Sequence, residues 1–284
     1  MSNVLKAFLN IVSNYQASVN TVRGGKNRVN DMGEGLEEYI KDAFAGTINE
    51  TDRQNRLAIF SQTYSYSGNK NNPPDLILKN SDAVEIKKLE SHNTAIALNS
   101  SYPKAKLFSD SSMITTACRS CESGWVEKDM LYAIGNVQKN TNQLKSIWLV
   151  YGDCFCADKE IYERIKDTIS SGIASISDVE FTDTNELGKV KKVDPLGITD
   201  LRIRGMWHID NPSRIFSYLY RYDDMASFQL VCLMKTEKYM TLPDEDRQTI
   251  ENFENENVRI GNVKIKNPNN PVQLMNGKLL VFGV

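Results

Sequence analysis

The sequence predicts one α/β domain spanning residues 1–284. Three observations carry that prediction. Segments with apolar residues at helical spacing are interspersed with short apolar or alternating runs of strand type. No internal repeat, low-complexity segment or interdomain linker interrupts the series. With 284 residues, 40% hydrophobic and 25% charged, the chain can bury a sizeable core.

The elements follow in order. Residues 4–19 read as an amphipathic helix, with Val4, Leu5, Phe8, Val12 and Tyr15 near helical spacing. Residues 20–31 are polar, contain Gly24-Gly25 and read as a loop. A second helix runs from about Met32 to Ala45. Leu36, Tyr39, Ile40, Ala43 and Phe44 form its stripe, and Gly46 is its stop. Residues 57–66 read as a strand, and 67–72 as a polar loop. Two short apolar runs follow, Asp75–Leu78 and Ala83–Lys87, with Lys79-Asn80-Ser81 as the turn between them. Ala95–Leu98 is a third strand candidate. Ser146–Tyr151 is a strand, and Asp158 to about Ile173 a helix with Ile161, Ile165 and Ile169 every four residues. Residues 201–209, 228–235 and 278–284 are further strands.

The most informative stretch is Asn71-Asn72-Pro73-Pro74-Asp75, then Glu85-Ile86-Lys87. It reads as Pro-Asp…Glu-x-Lys, a signature of metal-dependent nucleases. Strand side chains alternate, so Glu85 and Lys87 share a face, while Val84 and Ile86 take the other. A hairpin centred on Asn80 sets Asp75 opposite Glu85, with Cβ atoms about 5 Å apart. Two carboxylates at that distance can share a hard cation such as Mg²⁺, which takes oxygen ligands and keeps several waters. The bland alternative is a chance match on a solvated strand. Two charges on an otherwise apolar strand fit a cleft better than a surface edge.

Composition narrows the class. A formal net charge of −2 argues against a non-specific DNA coat protein, which needs many cations. It leaves room for a local basic cleft, and Lys189, Lys191, Lys192, Arg202 and Arg204 cluster within sixteen residues. No apolar run of membrane-spanning length occurs. The start, Met1-Ser2-Asn3-Val4-Leu5-Lys6, lacks the pattern of a secretory signal, so a cytoplasmic protein is expected. Five cysteines, an odd number, fit reduced thiols. Cys118-x-x-Cys121 and Cys154-x-Cys156 could supply four thiolates to a structural zinc, or be small buried residues. Only two histidines occur, His92 and His208, which argues against histidine-based nuclease chemistry. No Gly-x-x-x-x-Gly-Lys-(Ser/Thr) loop is present, so no role for ATP is expected.

The chain resembles type II restriction endonucleases of the Pro-Asp…(Asp/Glu)-x-Lys superfamily, and more narrowly the NgoPII-type family. The residues that carry the resemblance are Asn71–Asp75, Glu85–Lys88, Leu98–Lys104, Asp194–Thr199 and Leu201–Trp207. The resemblance implies a restriction-endonuclease-like core, a central mixed β-sheet flanked by helices, with DNA-recognition insertions. It also implies Mg²⁺-dependent cleavage of double-stranded DNA at a palindromic GGCC-type site. Metal at the leaving 3′ oxygen would give 5′-phosphate and 3′-hydroxyl ends. Asp75, Glu85 and the Ile86 carbonyl would hold the metal, and Lys87 would sit beside the attacking water. Superfamily members often add an acidic residue from an earlier helix. Glu37 matches best, with Glu34 and Glu38 as rivals, and a solvated Glu37 paired with Lys41 is the alternative.

The loop Asn99, Ser100, Ser101 and Lys104 is expected to touch DNA, or to be an ordinary Ser/Asn/Pro turn. Arg202 and Arg204 are expected to read guanines, or to bind phosphates or a neighbouring Asp200 or Asp210. A palindrome matches a homodimer, and a cognate DNA methyltransferase would be a functional partner. A structure-specific or repair nuclease and a non-catalytic DNA-binding module remain as alternatives. The intact Asp75/Glu85/Lys87 set weighs against the module. The long region after residue 100 weighs against a minimal repair nuclease.

Overall fold

The computed structural model describes residues 1–15, 28–69, 72–139, 143–182, 184, 187–253 and 255–284, with the backbone alone at 28–34 and 69. The expected loop around Gly24-Gly25, positions 16–19 of the expected first helix, Asn71 and the Glu34 side chain therefore lie outside the described residues.

Helix α1 (Val4–Ser13) starts at Asn3, whose Oδ1 accepts the Leu5 and Lys6 N–H groups. That capping satisfies donors a helix start leaves unpaired. Its Val4, Leu5, Phe8 and Ile11 are fully buried. Helix α2 (Arg28–Ala45) buries Leu36, Tyr39, Ile40, Ala43 and Phe44, the stripe expected from spacing. Helix α3 (Arg53–Thr63) precedes β1 (Tyr64–Asn69), β2 (Asn72–Leu78) and β3 (Ala83–Leu89). Then come β4 (Ile96–Ala97), β5 (Lys106–Phe108), α4 (Thr116–Arg119), β6 (Glu127–Val137) and β7 (Leu144–Tyr151). Helices α5 (Gly152–Phe155) and α6 (Lys159–Ala174) lead to the short strands β8 (Glu180–Thr182), β9 (Gly188–Lys191), β10 (Leu201–Ile203) and β11 (His208–Ile209). The chain closes with α7 (Pro212–Ile215), β12 (Gln229–Lys235), α8 (Thr236–Thr241), α9 (Asp244–Asn252), β13 (Val258–Asn267) and β14 (Asn270–Gly283).

The main sheet runs β1-β2-β3-β6-β7-β12-β14-β13, with β5 added against β6. It is mixed: β3 lies parallel to β6 and β7 to β12, while the other neighbours are antiparallel. The middle strands β6, β7 and β12 bury almost every side chain, as strands covered on both faces do. Helix α2 packs on β3, α1 on β12 and α5 on β6 and β7. This is the central mixed sheet flanked by helices that the family resemblance implies. Two small sheets stand apart from it, β8-β9-β10 and the pair β4–β11.

Three expected elements differ. Residues 57–66 are not one strand. Asp52 caps α3 by accepting the Gln54 N–H, Arg56 ties the helix to Asp42 and Glu38, and extended chain begins only at Tyr64. Residues 201–209 are not one strand either. The chain leaves β10 at Ile203 and joins a different sheet at His208. The run 95–98 shrinks to two paired residues. Strand β6, passed over in the sequence reading, is the centre of the sheet. Its run from Met130 to Ile134 is apolar without alternation, a pattern helix and strand share.

Candidate active site

The hairpin β2–β3 forms in the register its sequence predicts. Leu76 pairs with Val84 and Ile77 with Ala83, so the turn centres on Asn80. Asn80 adopts the left-handed conformation, φ 56°, which asparagine tolerates better than most residues. The turn is held from outside. Glu122 accepts the Asn80 N–H at 2.8 Å, and Lys128 donates to the Ser81 carbonyl at 3.0 Å and to Glu122 at 2.6 Å. Asp82, only 3% exposed, takes Lys238 at 2.6 Å and the Tyr151 hydroxyl at 2.6 Å. Lys238 also reaches Asp129 at 2.7 Å. On the other flank, Gly68 of β1 lies against the hairpin backbone. A Cβ there would come within 2.3 Å of the Pro74 carbonyl and 3.2 Å of the Asp75 Cα.

This frame brings Asp75, Glu85 and Lys87 together. The Asp75 Oδ2 accepts the Ile86 N–H at 2.6 Å, next to where the ladder bonds stop. Lys87 Nζ donates to Glu85 Oε1 at 2.6 Å. The second oxygen of Glu85, Oε2, is buried with no hydrogen-bond partner. Burial first, then the Glu85 charge, pushes the Asp75 carboxyl up to about 7, with a smaller push from Glu37. Lys87 and the Ile86 N–H act against that rise. For Lys87, burial favours the neutral amine, but Glu85 and Asp75 outweigh it and raise its pKa. Lys88, on the alternate face, reaches Glu90 at 3.9 Å.

An orphaned buried carboxylate oxygen beside a second buried carboxylate is a donor set that fits a divalent cation. Among the described residues no third His, Cys, Asp or Glu joins the pair to form a closed cage. Mg²⁺ does not require one, since it is commonly held by one or two carboxylates with waters and substrate phosphate. Glu37 is near enough to affect Asp75 and Lys87, yet its Oε1 accepts from Lys41 at 2.8 Å. Glu38 pairs with Lys41 and Arg56.

The two expected DNA-reading segments are joined. Asn99, exposed and left-handed at φ 52°, accepts the Trp207 N–H at 2.8 Å through its carbonyl. The Leu98 N–H donates to the Trp207 carbonyl at 2.8 Å, and β4 pairs with β11 alongside. Ser100 and Ser101 are half-buried, whereas Lys104 turns inward and is 8% exposed. Arg202 lies on β10 opposite Lys189, and Arg204 lies one residue beyond the strand; both are exposed. Lys189 is neutralised by Asp200 at 2.5 Å, and Lys192 pairs with Glu180. Trp207 is packed edge-on against Tyr102 and Tyr162, with centroids 6.4 and 5.7 Å away, and so is part of a side-chain cluster.

Cys118 and Cys121 lie at α4, Cys154 and Cys156 at α5, and no metal-holding group forms among the described residues. Burial pushes the Cys118 and Cys156 thiols up to about 12 and Cys154 well above its ordinary value. Neutral buried thiols act as small apolar side chains. Sequence reasoning missed the residues that hold the hairpin: Glu122, Lys128, Asp82 and Lys238. Nothing in local spacing marks them, because the contacts that tie the hairpin to the rest of the chain span 42 positions or more.

No helix among the described residues is long and apolar enough to cross a membrane. A family model described as NgoPII restriction endonuclease matches residues 2–266. The Type II restriction enzyme NgoPII of Neisseria gonorrhoeae is 43% identical over 280 residues, covering 99% of each chain. No solved structure matches.

Proposed function

Because the chain belongs to the NgoPII restriction endonuclease family and is therefore a type II site-specific endonuclease, we propose that Asp75, Glu85 and Lys87 are its cleavage centre and Mg²⁺ its cofactor. The observation that carries this is the meeting of the two carboxylates and the lysine on one hairpin, with Glu85 Oε2 buried and unpaired.

Asp75, Glu85 and the Ile86 carbonyl would hold the cation. When bound, Mg²⁺ supplies charge neutralisation for the two carboxylates and for the phosphoryl oxygens of the transition state. The Ile86 N–H fixes the Asp75 carboxylate in place. Lys87, already desolvated and cationic, can leave Glu85 to hydrogen-bond the attacking water and offset charge building on the phosphorus oxygens. Burial on the hairpin limits competing solvent and strengthens these interactions. Breaking the bond from phosphorus to the 3′ oxygen leaves a 5′-phosphate and a 3′-hydroxyl. Glu37 supports the centre electrostatically.

The substrate is double-stranded DNA carrying a palindromic GGCC-type site. Asn99, Ser100 and Ser101 contact the duplex, and Arg202 and Arg204 read guanines. The hydrogen bonds between the 98–99 segment and Trp207 support a single reading unit. Guanine O6 and N7 accept a guanidinium bidentately, which makes arginine the commonest reader of guanine. A two-fold site calls for a homodimer. A methyltransferase acting on the same sequence would protect the host genome.

The test is incubation with plasmid DNA and Mg²⁺. Discrete fragments are expected, and a smear or binding without cutting would defeat the assignment. Asp75→Ala, Glu85→Ala and Lys87→Ala should each abolish cleavage with DNA binding retained. Lys88→Ala, on the opposite face, should act much more mildly. Near-normal single-turnover cleavage by the Asp75 or Glu85 variant would remove those residues from the centre.

A further inference from the structure

Lys104 does not lie where a surface loop residue would. Its backbone is fixed at two points. The Lys104 N–H donates to the Tyr132 hydroxyl oxygen at 2.7 Å, and that hydroxyl donates to the Lys104 carbonyl at 3.2 Å. Gly152 packs so tightly behind it that a Cβ there would come within 2.3 Å of the same carbonyl. With the backbone held in this way, the ammonium is buried in a small cavity that Lys104 lines with Pro73, Glu85, Ser101 and Tyr132.

The partners of that ammonium are all neutral. It donates to Ser101 Oγ and to the Tyr102 carbonyl at 3.3 Å, and lies 5.1 Å from the centre of the Tyr102 ring. Other lysines of the same interior have carboxylates: Lys128 has Glu122, Lys87 has Glu85, and Lys238 has Asp82 and Asp129. Burial, with no carboxylate hydrogen-bonded to the ammonium, pushes the Lys104 pKa down to about 8, with Glu85 and Cys156 acting against it at longer range and Lys87 with it. An ammonium has three donors. Two are used here, and the third has no protein acceptor among the described residues. An uncompensated buried cation is expensive to maintain, so its presence beside Glu85 calls for an anion that arrives with the substrate.

We propose that Lys104 is a second lysine of the cleavage centre, whose ammonium donates to a phosphate of the DNA backbone bound there. Ser101 and the Tyr102 carbonyl aim the head, and Tyr132 and Gly152 fix the backbone that carries it. This assignment rests on the reading of the Asp75/Glu85/Lys87 hairpin as a nuclease centre. It separates Lys104 from Asn99 and Ser100. Asn99 is exposed and Ser100 half-buried, whereas Lys104 acts at the inner end of the same loop.

The variant is Lys104→Met, which keeps volume and removes the charge. Removing a buried unpaired cation should leave the melting temperature unchanged or raised. Two readouts decide. The first is single-turnover cleavage of plasmid DNA in Mg²⁺, expected to slow about ten- to hundredfold for loss of one hydrogen bond to a charged group. The second is the salt dependence of binding to a short duplex containing the cut site. It is measured with Lys104→Met placed in the uncutting Asp75→Asn protein. Loss of one phosphate contact should flatten the log–log slope by about 0.9. A slower rate with an unchanged slope would make Lys104 a packing residue and overturn the proposal. An unchanged rate would also overturn it, while leaving the nuclease reading intact if the wild-type protein still cuts. Failure of the wild-type protein to cut would instead defeat the underlying reading. If the methionine variant does not fold, Lys104→Gln is judged by the same two readouts.

Discussion

The Asp75 carboxyl should hold a proton near neutral pH until a cation displaces it. Burial and the Glu85 charge lift the Asp75 carboxyl from its ordinary 3.8 to about 7 in the metal-free protein. A site titrating at about 7 is about 0.9 protonated at about pH 6, whereas an ordinary carboxyl would be protonated at about 0.006. Mg²⁺ needs both carboxylates ionised, so its binding at about pH 6 should expel close to one proton. At about pH 8 it should expel about 0.1 or less. Stability follows with a defined sign. A raised carboxyl favours the fold below its ordinary value, and that contribution is lost as pH rises through about 7. Mg²⁺ should therefore raise the melting temperature more at neutral pH than in mild acid. The assay is titration of MgCl₂ into weakly buffered, DNA-free protein with released protons read on a pH-stat. Asp75→Asn should release none. Release that is absent at pH 6, or equal at pH 6 and 8, would refute the close approach of the two carboxylates from which the shift is derived.

Three further outcomes follow from the frame around the hairpin and from the exposed Arg202 and Arg204. Lys238→Met should destabilise the protein by about 3 kcal/mol in urea unfolding, because it strands the buried Asp82 charge. A change under about 1 kcal/mol would show that Tyr151 alone satisfies Asp82. Gly68→Ala should impair cleavage more than DNA binding, since its methyl would press on the Pro74 carbonyl and Asp75 backbone. Equal loss of both would point to general misfolding. Arg202→Ala and Arg204→Ala should each lose about 1–3 kcal/mol of discrimination between cognate and scrambled duplexes if they read guanine. A uniform loss on both duplexes with a flatter salt slope would assign them to phosphates.

The β2–β3 hairpin was legible in the sequence because its information is local. Asp75, Asn80, Glu85 and Lys87 lie within thirteen residues, and strand alternation with a symmetric turn is enough to set their register. The α2 stripe was legible for the same reason, since helical spacing alone selects Leu36, Tyr39, Ile40, Ala43 and Phe44. Where local signals conflict, the reading failed. The run from Leu57 to Phe60 has strand-like composition, but the Asp52 cap and the Arg56 ion pairs turned it into the end of a helix. The cysteine pairs had suggestive spacing, but metal binding depends on distances between elements, and among the described residues the thiols do not gather into a metal-holding group. Only the tertiary structure could decide that Lys104 faces inward toward Glu85 rather than outward with Asn99. It also decided that Lys128 and Lys238, remote or outside the hairpin, hold its turn. The physical reason is common to both. Alternation and periodicity fix the direction of a side chain relative to its own strand or helix. Whether a charge is buried, and which opposite charge compensates it, depends on the residues that other parts of the chain bring within hydrogen-bond reach.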